Sequence, residues 1–223
     1  MLAQPQNLID FRNIMDEGKI LLVDLSGLGS ETREILGGFM LSVLHVTALC
    51  RSALPPEKRR PFHIHCDEAH RFTTDALEDL IMETRKYGVG LTLAHQYLSQ
   101  FETRRKDALA SVGTTVIFNV DTKDAAHLKK DLQDKVEVKD LIFLRVGEAI
   151  ARIGTEIVRF RTPPPREIPK KHFRDRIIAE SRRRYYRPIG EVRAAKHQRD
   201  RRWEKPFTPL TEGPEEEFHY EEL

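Results

Sequence analysis

Cysteine is nearly missing from this sequence: Cys50 and Cys66 are the two it has in 223 residues, and no charged-then-apolar leader stands at its start. That leaves no disulfide framework to expect and points to a reducing, cytoplasmic setting. Long hydrophobic runs are lacking too. The longest, residues 35–50, is interrupted by Ser42, His45 and Thr47 and falls short of the roughly 20 residues a bilayer crossing requires. It reads as a buried helix, and no transmembrane segment is expected. Charged residues make up 32% of the chain and mean hydropathy is -0.50, the composition expected of a soluble protein richer in charge than usual. One more absence has chemical weight. No stretch reads GxxxxGK followed by Ser or Thr, the loop whose backbone cradles phosphates, and Gly27-Leu28-Gly29-Ser30 is no substitute because no Lys follows in place.

What the chain does have is enough length for one domain of about 150 residues with a real core, plus an extension. A net charge of +2 conceals a lopsided layout. Residues 1–162 carry 22 basic and 23 acidic side chains, residues 166–205 carry 15 basic against 6 acidic, and residues 212–222 add 6 acids and no base. Pro163-Pro164-Pro165 mark the boundary. We therefore divide the chain into a core, residues 1–162, and a basic, proline-interrupted tail with an acidic end, residues 163–223. The tail has few aliphatic residues for a core of its own, so it reads as a weakly ordered or partly helical arm. Basic residues interleaved with Tyr185, Tyr186, Trp203 and Phe207 suit docking of the tail onto the core or stacking on single-stranded bases, and the basic surplus suits contact with nucleic acid or a neighbouring subunit.

Within residues 1–162 short apolar runs alternate with helical patterns, the signature of an α/β sheet with crossover helices. Expected strands are residues 19–24, 61–67, 90–95, 114–120, 148–153 and 156–161, the last two forming a hairpin around Gly154. The first four are near-continuous in apolar or β-branched residues, as strands covered on both faces are. Helices are expected over residues 31–52, 74–86, 104–111 and 122–132, with Thr73 or Thr74 capping the second.

In an open sheet of this class ligands bind beyond the carboxyl ends of the strands. Asp24, the adjacent acids Asp67 and Glu68, and Gln96 all close strand-like runs. These residue types match phosphoryl transfer to water: a carboxylate to hold magnesium (Asp67), a second to activate the attacking water (Glu68), and an amide to sense the terminal phosphate (Gln96).

The blocks KILLVDLSGL (19–28), PFHIHCDEAHRF (61–72), ETRKYGVGLTLAHQYLSQ (83–100) and SVGTTVIFNVDTKDAAHL (111–128), in that order, resemble the second half of the motor domain of HerA/FtsK-superfamily ATPases. The chain is most similar to TraG/TraD-like coupling proteins of type IV secretion and conjugation, over roughly residues 8–162. The resemblance implies a RecA-like P-loop NTPase fold with a mostly parallel sheet, ATP and Mg2+ as cofactors, and a homo-oligomeric, hexameric ring. It further implies DNA as the transported partner and secretion-channel proteins as neighbours. Asp67 and Glu68 fall on the family's Walker B pair and Gln96 on its sensor glutamine; Arg85 falls where ring ATPases present arginines toward a neighbour's nucleotide, though an arginine at a helix end equally serves to satisfy the terminal carbonyls. The family's first half, with its phosphate-binding Lys and magnesium-binding Ser or Thr, has no counterpart here. The expectation is therefore a motor portion that a missing N-terminal half must complete, inactive as an isolated chain, cytoplasmic or held at the inner face of the membrane through partners.

Other readings compete. A degenerate half-domain kept as an assembly module fits the same blocks. His63, His65 and Asp67 imitate an HxHxDH zinc hydrolase motif, with Asp24 as its early acid, but Glu68 stands where a histidine is needed. The DEAH tetrapeptide also occurs in helicases, whose next strand ends in a Ser-Ala-Thr type sequence where this chain has Ala94-His95-Gln96. Cys66 reads as a buried strand cysteine, not a nucleophile.

Overall fold

The computed structural model describes residues 8–72, 75–101, 103–167, 169 and 172–203, and these fall into two compact units. One lies within residues 10–168; the other takes in residues 8–9 and the chain from 169 onward. The capping threonines Thr73 and Thr74, the tail aromatic Phe207 and the acidic end at 212–222 lie outside the described residues.

The first unit opens with α1 (Phe11–Asp16), started by Asp10, whose carboxylate accepts from the Asn13 N–H at 2.9 Å. α2 (Ser30–Cys50) follows, a helix of 21 residues. Gly37, Gly38, Leu41, Leu44 and Ala48 recur three and four apart and are buried. The Phe72 ring fills the space a Cβ on Gly37 would need. On the other face Ile35, Phe39 and Val46 stay exposed. The expected buried helix is thus buried on one face only, because a helix shows the core a single stripe. Ser30–Ala53 is also long and apolar enough by length and composition to cross a bilayer; in this fold it packs against α3 (Asp75–Glu83).

β1 (Phe62–Cys66) and β2 (Val89–Leu93) run parallel, with Phe62 opposite Val89 and Cys66 opposite Leu93. A 3-10 turn at Ala69–Phe72, α3, and another 3-10 turn at Thr84–Tyr87 make the crossover between them. α4 (Thr103–Ala110), β3 (Thr114–Ile117), α5 (Thr122–Asp131) and α6 (Val138–Ile142) precede the hairpin β4 (Glu148–Ile153) and β5 (Glu156–Arg161). β3 pairs antiparallel with β4, and β4 with β5. The hairpin turns at Gly154, whose φ of +59 is the left-handed conformation that a side chain resists. The α/β class therefore stands, while among the described residues parallel pairing is confined to β1 and β2. Leu98, Ile117, Leu128, Leu132, Leu141 and Ile150 pack as one core cluster, and Cys66, Ala69 and Phe101 as a second that underlies the ends of β1 and β2.

The strand expected at residues 19–24 does not form. Among the described residues it has no ladder partner, and Ile20 and Leu22 are 89% and 77% exposed. Alternating apolar residues supply strand propensity, but a strand exists only with an edge to bond. Here residues 18–23, 25 and 26 line one cavity of about 880 Å³ with residues 61–68 instead of pairing.

Arg51, 2% exposed, ties the opposite end of the β1–β2 pair together. Its guanidinium donates to Asp16 Oδ1 at 2.9 Å and to the carbonyls of Met15 (2.8 Å), Arg60 (2.9 Å) and Tyr87 (3.3 Å). α1, the approach to β1 and the approach to β2 all meet on one side chain.

In the second unit α7 (Arg174–Tyr185) has no buried residue, and α8 (Ile189–Trp203) follows Pro188. Glu180 accepts from Arg183 at 2.7 and 2.8 Å and from Arg184 at 2.5 Å. These two arginines draw its carboxyl down to about 2.

Candidate functional site

The parallel ladder continues past both strands. Ala94 N–H donates to Cys66 O and Ala69 N–H to Ala94 O, each at 2.9 Å, so the residues following β1 and those following β2 are stitched side by side. Between these bonds sits Glu68 at φ +51, one of three non-glycine residues with positive φ among the described residues. Such a conformation costs about 1–2 kcal/mol in a residue with a Cβ and is commonly held at functional sites. The Glu68 N–H donates to Asp67 Oδ1 at 3.0 Å, and Glu68 O accepts from Arg71 N–H at 2.9 Å to open the next turn. The strained residue is thereby fixed from both sides.

From this position Glu68 meets Gln96. The amide Nε2 of Gln96 donates to Glu68 Oε1 at 2.7 Å, a charge-assisted geometry. Asp67, Glu68 and Gln96 are thus gathered at the carboxyl ends of β1 and β2, as the sequence pattern predicts. Asp67 and Glu68 also line the 880 Å³ cavity, together with Arg33 and Arg71, a volume in the range of small-molecule sites.

Two named residues are not brought into this group. Asp24 bonds Ser26 through its backbone N–H (2.9 Å) and hydroxyl (2.6 Å), and is not among the cavity's lining residues. Arg85 is exposed in the turn that precedes β2, whereas Gln96 follows it. At about 3.3 Å per residue along a strand, the five residues of β2 put roughly 16 Å or more between them. Within one chain Arg85 is therefore at the wrong end to touch the Glu68 site.

His63 and His65 face the same side of β1, ring centroids 4.8 Å apart, and His63 Nε2 lies 3.1 Å from Thr92 Oγ1. Among the described residues no group of three His, Cys, Asp or Glu side chains is placed to hold a metal, and the HxHxD imitation is a strand face. Cys66 is buried, and its thiol is pushed up to about 11 by that burial and by the Asp67 carboxylate, the reverse of an activated nucleophile.

Sequence reasoning missed the shell behind these residues. Asp124, buried at the start of α5, accepts the Leu98 N–H at 2.8 Å and so anchors the loop that carries Gln96. Its own N–H is capped by Asp121 at 2.8 Å. His95, beside Gln96, packs edge-on against Phe101 at 5.0 Å, and burial lowers its pKa, against the opposing pull of Asp124. His70 Nδ1 lies 3.3 Å from Glu68 Oε2. The D-E-x-H spacing was the available signal for His70; nothing in the sequence marks Asp124, whose contact crosses 26 positions.

The donor set fits one side of a magnesium nucleotide. Mg2+ keeps several waters and takes one or two carboxylates plus substrate phosphates, and an exposed carboxylate at Asp67 beside a bonded Glu68–Gln96 pair is that kind of set. No stretch of the sequence reads GxxxxGK[ST].

No protein-family model and no curated protein matches the chain. Solved structures do. The bacterial conjugative coupling protein TrwB, unbound, is similar at 18% identity and TM-score 0.54, over 61% of this chain and 38% of that one. TrwB in complex with the non-hydrolysable GTP analogue GDPNP is similar at 16% identity and TM-score 0.62, over 74% of this chain and 45% of that one. The genome packaging NTPase B204 from Sulfolobus turreted icosahedral virus 2, in complex with AMPPCP, aligns at 12% identity and TM-score 0.50, over 72% of this chain and 74% of that one. The fold is that of these P-loop NTPases, and the chain spans less than half the length of the two TrwB structures it matches.

Proposed function

We propose that this chain, folded as part of a P-loop NTPase of the conjugative coupling kind, is the magnesium- and water-handling portion of an ATP-driven DNA translocase. The observation that carries the reading is the 2.7 Å bond between Gln96 and Glu68 at the paired ends of β1 and β2, with Asp67 adjacent. In the complete motor Asp67 holds Mg2+, Glu68 takes the proton of the attacking water, and Gln96 shifts its amide between Glu68 and the terminal phosphate. Arg85 serves the nucleotide of a neighbouring subunit, since its own site lies at the other end of β2. A GKT- or GKS-bearing segment, on the same polypeptide or on a partner, supplies the cradle. The working assembly is a homo-oligomeric ring, hexameric in keeping with the resemblance, cytoplasmic or held at the inner membrane face by secretion-channel partners. Residues 1–162 belong to the motor; residues 163–223 form the basic arm that contacts DNA or a neighbouring subunit.

The test is calorimetric. Titration of the chain alone with Mg-ATP is expected to show no micromolar binding, and addition of a polypeptide carrying the GKT loop is expected to restore it. Micromolar affinity in the chain alone overturns the assignment of the missing cradle. A second reading, a non-catalytic assembly module, is favoured by the exposed apolar side chains of Ile20 and Leu22. It predicts ring formation with a complete subunit that Glu68→Gln leaves unchanged.

A further inference from the structure

Glu68 has two carboxylate oxygens, and the functional reading above accounts for one of them. Oε1 accepts from Gln96; Oε2 faces His70 Nδ1 at 3.3 Å. The His70 side chain is 14% exposed, and its Nδ1 is buried with no hydrogen bond of good geometry, to Glu68 or to any other described residue; Glu68 Oε2 at 3.3 Å is the acceptor within its reach. A buried polar nitrogen with one neighbour of the right chemistry is paired with that neighbour or with nothing.

The other ring nitrogen settles which proton the imidazole carries. Gln100 lies with Nε2 3.3 Å from His70 Nε2, while its Oε1 accepts the Tyr97 N–H at 3.3 Å. With the amide oxygen committed to Tyr97, the amide nitrogen is the group presented to His70, and it can only donate. The tautomer in which His70 Nε2 accepts from Gln100 leaves the hydrogen on Nδ1, the nitrogen that lies 3.3 Å from Glu68 Oε2. Gln100 is in turn fixed by the turn Leu98–Gln100, whose first N–H is bonded to buried Asp124. The connection runs from α5 through this loop to the ring and on to the carboxylate. His95, at the end of β2, is a further ionisable group close enough for its charge to interact with that of His70.

We infer that His70 is a positioning residue for Glu68: its Nδ1–H engages Oε2 while Gln96 engages Oε1, and the pair fixes the rotation of the carboxylate so that its remaining lone pairs face the cavity. The catalytic meaning of this rests on Glu68 being the water-activating base; the contact itself does not.

The experiment separates the two. In the full chain, uniformly labelled with nitrogen-15, the side-chain amide of Gln96 reports its bond to Glu68 and is assigned by its disappearance in Gln96→Leu. His70→Leu is expected to move that signal toward the position of a free glutamine amide. His70→Asn, whose amide nitrogen occupies the place of Nδ1, is expected to keep it, and His70→Gln, whose amide occupies the place of Nε2, to behave as Leu does. Gln100→Leu, at an exposed position that tolerates change, is expected to shift the Gln96 signal in the same direction by a smaller amount. It also covers the case in which His70→Leu does not fold. An unchanged Gln96 amide in the folded Leu variants, or Asn and Leu variants alike, overturns the inference. In the motor completed by a GKT-bearing half, His70→Leu is expected to lower kcat about 10- to 100-fold with KM unchanged, the usual reach of an orienting partner, and His70→Asn to recover it within a few-fold. Absence of hydrolysis in the completed wild type would count against the functional reading and leave the amide result to decide on His70.

Discussion

Arg51→Met should unfold this protein's first unit far more readily than its conservative volume suggests. Methionine fills the same space but removes a donor to Asp16 and donors to three main-chain carbonyls, in a site 2% exposed. A charge-assisted hydrogen bond contributes about 1.5–3 kcal/mol, and each carbonyl left unpaired away from water costs about 1–3. The carbonyls have second lone pairs and some access to one another's neighbours, so the sum is capped near the roughly 3–5 kcal/mol of a broken buried pair. With a urea dependence of about 2 kcal/mol per molar, the midpoint should fall by roughly 2 M. The melting temperature should fall by roughly 10 °C. Arg12→Met is the control: Arg12 also approaches Asp16, at 3.7 Å, but its side chain is 63% exposed, and such pairs contribute about 0–1 kcal/mol. Urea unfolding followed by circular dichroism reads both. A loss below about 1 kcal/mol for Arg51→Met, or equal losses for the two variants, refutes the argument that this side chain joins α1 to the two strand approaches.

Other outcomes follow from the charges and thiols. Glu180, drawn down to about 2 by Arg183 and Arg184 from an ordinary 4.5, has a folded value below its unfolded one. Its contribution to α7 is complete above about pH 4.5 and fades as pH falls through about 2; carboxyl NMR should show this midpoint, and one near 4.5 would contradict it. Because these ion pairs stand at the surface, with 41% of the Glu180 side chain exposed, 1 M salt should raise the midpoint. Cys66, with its thiol near 11 and its side chain buried, should resist iodoacetamide at pH 8 while exposed Cys50 reacts; mass spectrometry finding equal labelling would contradict this. Deleting residues 166–223 should weaken DNA binding and flatten its salt dependence, by about 0.9 in logarithmic slope for each phosphate that the tail had neutralised. An unchanged slope removes the tail from the DNA interface.

The parts of the fold visible in sequence are those set by local pattern. β4 and β5 fall on the predicted residues because two strand-like runs break at Gly154, where a glycine admits the turn's positive φ. β1 and β2 were visible as apolar runs ending in polar residues, and so were their polar ends. What local pattern does not contain is the partner. Residues 19–24 have the composition of a strand and no edge to pair with, and the 21-residue α2 has one buried stripe where apolar content suggested burial all round. α6, with five residues, is too short for periodicity to reveal. At the site, Asp67, Glu68 and Gln96 declared themselves by ending strands; Asp124 and Gln100 act through contacts 26 and 30 positions away, which only folding brings together. The divergence of Arg85 from the site follows the same logic, since opposite ends of one strand are near in sequence and far apart in space.

The most direct test of the proposed function is ATP hydrolysis by the chain joined to a GKT-bearing half, with and without Glu68→Gln. Loss of the proton-accepting carboxylate should lower kcat by about 10²–10⁴-fold while Mg-ATP still binds, because Asp67 and the cradle remain. Hydrolysis that survives Glu68→Gln undiminished, or a completed wild-type assembly that binds Mg-ATP and never hydrolyses it, would contradict the placement of a water-activating site at the ends of β1 and β2.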